Sequence, residues 1–498
     1  MTARAWDVGN GPAAVRETHL GVVFLVGDRA FKLKKPVDVG FLDFRTRESR
    51  LAGCHREVEL NSRLAPDVYL GVSEVSDVDG EPLDHMVVMR RMPDDRRLST
   101  LVLTGAHLAE EIDRLARVIA EFHADANRSR AISAEGTRDA LGARWSASLQ
   151  QVATVRGSLL NERDLAEIRR LTLAFLAGRE KLFDRRIAAD RIVDGHGDLL
   201  ADDIFCLDDG PRVLDCLEFD DRLRAVDGLD DIAFLAMDLE RLGAPELGAV
   251  LLDRYVEFSA DPAPAALREH YLAYRAFARV KVACLRHGQG EIAAAEEAMR
   301  YTDIALRHLR RGQVRLVLVG GLPGTGKTTL AGAVADELGA KLLSTDRLRR
   351  ELADLAPHEH VPTSFLAGIH TAEHTEATYL ELLGRAETLL ALGETVVLDA
   401  SWTTQAHRDL AEAVATRTHS RFVPLLCQAP PAITDARMRT RTRSLSDADP
   451  VVAARMAEEM DPWPQATAVS TVDSPAESLT RAAAAIAAPQ DRRLRLVT

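Results

Sequence analysis

Lysine is nearly missing from this chain. It stands only at positions 32, 34, 35, 181, 281, 327 and 341, against 63 lysines and arginines together in 498 residues. The bias toward arginine carries no functional message, but it isolates the lysines that remain: three share one early strand and one sits in a glycine-rich loop. Aromatic residues are also sparse, at 5%, so the cores must rest on Leu, Val, Ala and Ile. The five cysteines, Cys54, Cys206, Cys216, Cys284 and Cys427, are scattered and form no C-x-x-C pair. That excludes a disulfide frame or a zinc site and reads as reduced, buried thiols. No apolar run is long enough to span a bilayer. The first thirty residues hold acidic and polar groups around one short apolar stretch, Val22 to Val26, which is not a signal peptide. Both absences point to the cytosol. Basic excess is lacking too: a net charge of −13 makes a poor general binder of nucleic acid or anionic membrane.

What is present is too long for one core, and roughly 150 residues per domain predicts three or four compact units. The apolar run at Val22–Val26, a Gly27-Asp28 turn and a second run at Ala30–Leu33 predict a hairpin. A helical pattern follows from Arg47 to Leu64, then strands at Val68–Ser76 and Met86–Met89. After Pro93 the pattern turns helical, with Ile112, Leu115, Ile119 and Phe122 on one face of Leu108–His123. Two short strands, Ile192-Val193 and Val213-Leu214, bracket a loop dense in Asp. From Gln313 strands and helices alternate: Arg315–Val319, Lys327–Leu338, Leu342-Leu343, a helix near Tyr379 to Leu392, Thr395–Leu398, Phe422–Leu426, a strand near Val469 and a helix to about Ala488. Such alternation predicts a parallel sheet with covered faces. The expected organisation is a sheet-rich lobe (1–93), a helical lobe (94–312), an α/β domain (313–488) and a tail (489–498).

The α/β segment opens on Gly321-Leu-Pro-Gly-Thr-Gly-Lys-Thr328, which matches G-x-x-x-x-G-K-[ST]. Glycines let backbone N–H groups point at a phosphate chain without a side chain in the way. The following helix aims its N-terminal dipole at the same anion. Gly321, Gly324, Thr325, Gly326, Lys327, Thr328 and Thr329 are therefore the expected ATP-binding residues, with Lys327 on the β/γ-phosphates and Thr328 on Mg²⁺. Asp399 ends the buried run Thr395–Leu398, where a carboxylate meets the ligand crevice; it is expected to hold Mg²⁺, the alternative being a helix cap after Ser401. Asp346 follows Lys341–Ser344 in the same way and could take a proton from an acceptor hydroxyl, or cap a helix. Arg437, Arg439, Arg441 and Arg443 cannot share one face of a regular helix, so some are free to clamp charge in a transition state.

These residues resemble the zeta-toxin, gluconate-kinase and polynucleotide-kinase group of small P-loop kinases, over Arg315 to about Ala488. The resemblance implies that Asp346 acts as base or orients the accepting hydroxyl, that Arg349 holds the substrate, and that Arg437 and Arg441 contact ATP phosphates from a lid.

In the first half, Lys32 and Lys34 share one face of their strand, and Glu57 or Glu59 on the next helix can pair with one of them. His196-Gly197-Asp198-Leu199 opens the Asp-rich loop, with Asp203 and Asp215 beyond it. Phosphoryl transfer needs an acid near the hydroxyl and oxygen ligands for magnesium. Asp198 fits the first role and Asp203 and Asp215 the second, with His196 pinning the loop. The order of these residues on a two-lobed pattern resembles the aminoglycoside-phosphotransferase-like branch of the protein-kinase fold, over roughly residues 1–310, and Asp230-Asp231-Ile232-Ala233 resembles a downstream element of that branch. Asp203 stands where the branch has Asn, and Leu200 where it often has His. The whole chain resembles a bacterial two-kinase fusion, an α+β two-lobed kinase-like domain followed by an α/β P-loop NTPase domain. The expected function is transfer of the γ-phosphoryl group of ATP, with Mg²⁺, to a hydroxyl of a small molecule, at a P-loop site and at a second site built on Lys32, Glu57 and Asp198. The alternatives are an ATP-binding sensor with one degenerate half and a nucleic-acid 5′-end kinase.

Overall fold

Residues 14–17, 21–38, 43–155, 159–353, 371–440 and 450–488 are described by the computed structural model. The chain divides into two compact units. The first gathers Met1–Arg169, Phe183–Ala263 and Arg268–Leu309; the second gathers Arg170–Leu182, Pro264–Leu267 and Arg310–Thr498. Two short segments on the early side of residue 313 therefore group with the second unit.

The first unit opens on an antiparallel sheet of β1 (Ala14–Glu17), β2 (Gly21–Val26), β3 (Arg29–Lys34), β4 (Tyr69–Ser76) and β5 (Pro82–Arg90), in the order β1-β2-β3-β5-β4. The hairpin read from Val22–Val26 and Ala30–Leu33 is β2–β3, turning at Gly27-Asp28; β1 was not expected. The helix Arg47–Asn61 starts from Thr46, whose hydroxyl accepts from the Ser49 amide at 3.1 Å, a side-chain cap that satisfies one free amide. It ends three residues before the expected Leu64. Leu25, Cys54, Val68, Val87, Met89 and Phe205 form the core between sheet and helix. Period-two alternation leaves Lys32 and Lys34 together on the face that Glu57 approaches.

The rest of this unit is helical and carries two small ribbons. β6 (Ile192–Asp194) pairs with β9 (Ala225–Asp227), and β7 (Ile204–Leu207) pairs with β8 (Gly210–Val213). β7 and β9 were not legible, because runs of three or four residues carry almost no periodic signal. The loop that carries His196, Asp198 and Asp203 lies between β6 and β7. Its support is the helix Gly228–Arg241, which is buried from Gly228 through Leu239. Asp227 caps that helix by accepting from the Leu229 amide at 2.9 Å. The same carboxylate takes two hydrogen bonds from Arg186, at 2.7 and 2.6 Å, and one from Tyr271 at 3.1 Å. Arg186 also binds Asp261, 2% exposed.

The second unit is a five-stranded, all-parallel sheet: β10 (Arg315–Gly320), β11 (Lys341–Ser344), β12 (Val396–Asp399), β13 (Arg421–Gln428) and β14 (Thr467–Ser470), ordered β11-β12-β10-β13-β14. Both faces are covered, so these strands read as continuous apolar runs. Val317, Val319, Val397, Val423, Leu425 and Val469 pack with Leu330, Val334, Ala482 and Ile486 of the helices Lys327–Leu338 and Pro475–Ala487. A parallel sheet brings all its carboxyl ends to one edge, and the candidate residues of this half gather there. The helix expected near Tyr379 begins earlier, at Ala372, capped by Thr371.

Replacing Arg186 with Met is expected to leave two buried carboxylates without their cation. Urea unfolding should show a loss of about 3–5 kcal/mol, and Arg186→Met with Asp261→Asn should recover part of it. An unchanged midpoint for Arg186→Met would show that the cluster does not brace this unit.

Candidate functional site

In the second unit the loop between β10 and the helix at Lys327 turns on glycines with positive φ: 144° at Gly321, 80° at Gly324 and 82° at Gly326. A Cβ at Gly321 would lie 2.7 Å from Thr325 Oγ1 and 2.9 Å from the Cys427 carbonyl oxygen, so the turn closes only on glycine. Thr325 is buried. Its hydroxyl donates to the Leu322 carbonyl at 2.7 Å, and its own carbonyl accepts from the Thr471 hydroxyl at 2.5 Å. Gly326 is the N-cap of the helix and offers no side chain to the first-turn amides, which leaves them directed at an anion. Lys327 starts that helix, with Thr328 and Thr329 exposed beside it.

Asp399 is the last residue of β12 and is 3% exposed. The register sets it beside Val319 and Ser344. The helix that follows is capped by Thr404, so Asp399 is not a helix cap. Burial pushes its carboxyl up, opposed by the Lys327 charge and by Thr328, while the Asp346 charge adds to the rise. Its Oδ1 is buried and has no hydrogen-bond partner among the described residues. A hard divalent cation takes such a set, one carboxylate and one hydroxyl, with water and phosphate supplying the remaining oxygens. The residues therefore fit Mg²⁺. Among the described residues no group of three His, Cys, Asp or Glu could hold an ion unaided.

Asp346 lies in the first turn of the helix Thr345–Leu352, whose N-cap is Ser344; it too is not the cap. Arg349 Nη1 stands 3.6 Å from Asp346 Oδ1, and its Nε is buried without a partner. Tyr379, not singled out from the sequence, accepts from the Trp402 amide at 3.2 Å, meets Ser401 Oγ at 3.3 Å and stacks on His407 at 3.9 Å. Burial pushes its hydroxyl up, and the charges of Arg349 and Asp346 reach it. Arg437 is brought to the loop: it donates to the Thr471 carbonyl at 2.6 Å and the Gly324 carbonyl at 3.5 Å. Arg441 lies outside the described residues.

In the first unit a ladder of alternating charges runs through Glu57. Lys32 Nζ is 2.7 Å from Asp215 Oδ1 and 2.9 Å from Glu57 Oε1; Lys34 Nζ is 2.8 Å from Glu57 Oε2 and 2.7 Å from Glu218 Oε1. The Lys32 contact with Oε1 is an ion pair without hydrogen-bond alignment. Glu57 is fully buried. Burial alone pushes its carboxyl up, but the two lysines hold it below the usual range. Burial likewise works against the Lys32 ammonium, and Asp215 and Glu57 outweigh it. Glu59 is turned away from both lysines and pairs with Arg56 at 2.9 Å. Lys34 and Glu218 complete the ladder. The signal for Lys34 was its shared strand face; Glu218 had none.

The loop at His196 is held from below. Asp231 accepts from the His196 amide at 2.6 Å and the Gly197 amide at 2.9 Å, and His123 Nε2 meets the same carboxylate at 3.0 Å. Burial pushes Asp231 up, yet these partners hold its carboxyl far below the usual range. His196 is pushed down to about 4 by burial, so its ring is neutral. Its Nε2 must donate to the Leu214 carbonyl at 3.1 Å, leaving Nδ1 to accept from the Asp198 amide at 3.4 Å. Asp238 accepts from the Ala201 amide at 3.0 Å. Acids at 227, 231 and 238 fall on one face of an apolar helix, and that spacing was the signal for this bracing.

Asp198 is half-buried on the loop this scaffold fixes. Burial pushes its carboxyl up to about 6, with Asp215 adding and Arg279 opposing. Asp203 ends the short turn before β7 and is pushed well up by burial and by Asp215 and Asp198. Asp215 lies two residues past β8 at φ 61°, and Lys32 holds it low. Asp215 thus raises the proton affinity of both Asp198 and Asp203, and the pair Asp203 and Asp215 would fit a divalent cation, with phosphate and water supplying the other oxygens.

Residues 316–463 match the AAA domain family AAA_33. A gluconokinase from Sinorhizobium meliloti is 17% identical, covering 35% of this chain and 92% of that one at a TM-score of 0.27. A choline/ethanolamine kinase family protein from Mesorhizobium loti is 16% identical, covering 60% and 92% at a TM-score of 0.38. The uncharacterized protein Rv2004c of Mycobacterium tuberculosis is 45% identical over 449 residues, 90% of each chain. With that identity running through both units, the chain belongs to the family of Rv2004c.

Proposed function

We propose that this chain is an ATP-dependent phosphotransferase with two sites, each moving the γ-phosphoryl group of ATP to a hydroxyl of a small molecule. The supporting observation is the meeting, at the carboxyl edge of the parallel sheet, of the glycine loop, Lys327, Thr328 and the unsatisfied buried oxygen of Asp399. At this site the loop amides and Lys327 bind the phosphates, Thr328 and Asp399 hold Mg²⁺, and Asp346 accepts the proton of the acceptor hydroxyl. Arg349 holds the acceptor, and Arg437 and Arg441 close over the charge that develops. Bound Mg²⁺ supplies neutralisation of the β- and γ-phosphate oxygens. At the second site Glu57 positions Lys32 for the phosphates, Asp203 and Asp215 are the metal ligands, and Asp198 takes the proton. A net charge of −13 favours a small-molecule acceptor over a nucleic-acid end and over a membrane. No helix of the described residues is long and apolar enough to cross a membrane, and a cytoplasmic place of action is part of this reading.

One observation favours a sensing role for the first unit instead. Lys32 is already paired with Asp215 at 2.7 Å, so a phosphate must compete for that ammonium. Tight nucleotide binding without turnover across neutral, cationic and anionic acceptors would decide for sensing.

Calorimetry with a non-hydrolysable Mg·ATP analogue should give two sites on the natural chain and one on Lys327→Ala. A stoichiometry that Lys327→Ala leaves unchanged would remove the P-loop assignment. Asp399→Asn should keep the fold, weaken the Mg²⁺ dependence of ATP use and lower kcat at the P-loop site by about 10²–10³-fold. With that site silenced by Lys327→Ala, turnover at Asp198 should rise with pH through about 6, because only the carboxylate can accept the proton. The same raised pKa means that the Asp198 charge opposes folding above that pH. Asp198→Asn should therefore melt at a higher temperature at pH 8 while losing turnover. A lower melting temperature would argue against a carboxylate held at a functional cost.

A further inference from the structure

Two arginines of one helix, Arg275 and Arg279, act on the Asp198 carboxyl, and only one of them has a carboxylate partner among the described residues, which bears on what the second site can accept. The helix Ala265–Gly288 runs past the loop. Arg275 on this helix donates to the Gly197 carbonyl at 3.1 Å and grips Asp230 with two bonds at 2.8 and 3.0 Å. Its charge is spoken for. Arg279 is four residues further on, so it stands one turn along the same face, beyond Gly197 and toward Asp198. It is half-buried, and its Nε is buried with no hydrogen-bond partner. Tyr301, 3% exposed, approaches it from the helix Ala294–Arg311 within hydrogen-bonding reach. Among the described residues no carboxylate lies within 4.0 Å of Arg279, and Asp198 itself forms no ion pair. Arg279 nevertheless exerts the strongest positive influence on the Asp198 carboxyl. Asp238, whose charge also reaches Asp198, is already satisfied by the Ala201 amide at 3.0 Å and by Arg241 at 2.6 Å. Arg279 is thus a braced guanidinium beside the proposed base, with donors to spare and no acid of its own.

We infer that the acceptor at Asp198 is an anionic hydroxyl compound, a hydroxy-carboxylate or a phosphorylated polyol, whose anion is bound by Arg279. This rests on the kinase-like reading of Asp198. A guanidinium recognises carboxylate and phosphate through paired N–H donors, and a cationic acceptor would meet repulsion there. With the anion on Arg279, the acceptor oxygen attacks the γ-phosphorus, forming the new O–P bond. The bond from that phosphorus to the β–γ bridging oxygen breaks, ADP leaves, and the hydroxyl proton passes to the Asp198 carboxylate.

The test uses the full chain carrying Lys327→Ala, so that ADP formation reports on Asp198 alone. The probes are glycerate, gluconate and glycerol 3-phosphate, against neutral glycerol and cationic choline and kanamycin. At least one anion should raise ADP formation tenfold or more over the rate with water, and the neutral and cationic probes should not. Arg279→Met should raise KM for that anion at least tenfold with Mg·ATP affinity unchanged, and Arg279→Lys should restore part of it. Circular dichroism and melting temperature identify a variant that has merely misfolded, in which case Arg279→Lys alone decides. Turnover of choline or kanamycin, no response to any anion while Mg·ATP binds, or an anion KM indifferent to position 279 would overturn the inference. Failure of the Lys327→Ala chain to bind Mg·ATP at all would instead defeat the kinase-like reading beneath it.

Discussion

The first unit depends on one helix that is polar where an interior helix should not be. Gly228–Arg241 is buried along almost its whole length, yet its head and body carry Asp227, Asp230, Asp231 and Asp238. Burying four carboxylates is tolerable only when each is paired and hydrogen-bonded, and each of these holds a different piece of the structure. Asp227 ties to Arg186, Asp230 to Arg275, Asp231 to the His196 and Gly197 amides, and Asp238 to the Ala201 amide. The loop that presents Asp198 has no regular structure of its own, and its geometry is borrowed from this helix. A loop positioned by a rigid scaffold is the usual place for reactive groups.

The second unit solves the same problem with backbone rather than carboxylates. Its phosphate loop is shaped by glycines at positive φ and closed by hydroxyl-to-carbonyl bonds from Thr325 and Thr471. The two designs share one electrostatic device. In each, an acid wholly or partly buried is left with proton affinity above its ordinary value, Asp399 in one and the half-buried Asp203 in the other, and each feels the charge of a lysine. Carboxylates perturbed by burial and a neighbouring cation are the feature that singles out both places as candidate sites.

Local signals made much of this legible. The G-x-x-x-x-G-K-T loop, the apolar runs of the parallel strands and the amphipathic helix near Leu108–His123 each depend on residues close together in sequence. The short strands β7 and β9 were missed because three or four residues cannot establish a period. The start of the helix at Ala372 was missed because its first turns hold no apolar stripe. Glu218 and Arg279 were missed for a different reason: nothing near them in sequence distinguishes a charge that meets Lys34 or Asp198 from one that faces water.

By itself, then, the amino-acid sequence determined the order of the two folds, the phosphate loop and the acids at strand ends, since these follow from periodicity, glycine placement and short-range spacing. Tertiary structure alone decided that Glu57 serves two lysines, that Glu59 serves neither, that Asp231 carries the His196 loop and that Arg279 acts on Asp198 with no carboxylate of its own among the described residues. Those are matters of which charged and polar groups the fold gathers from long stretches of chain, and burial makes each such meeting strong.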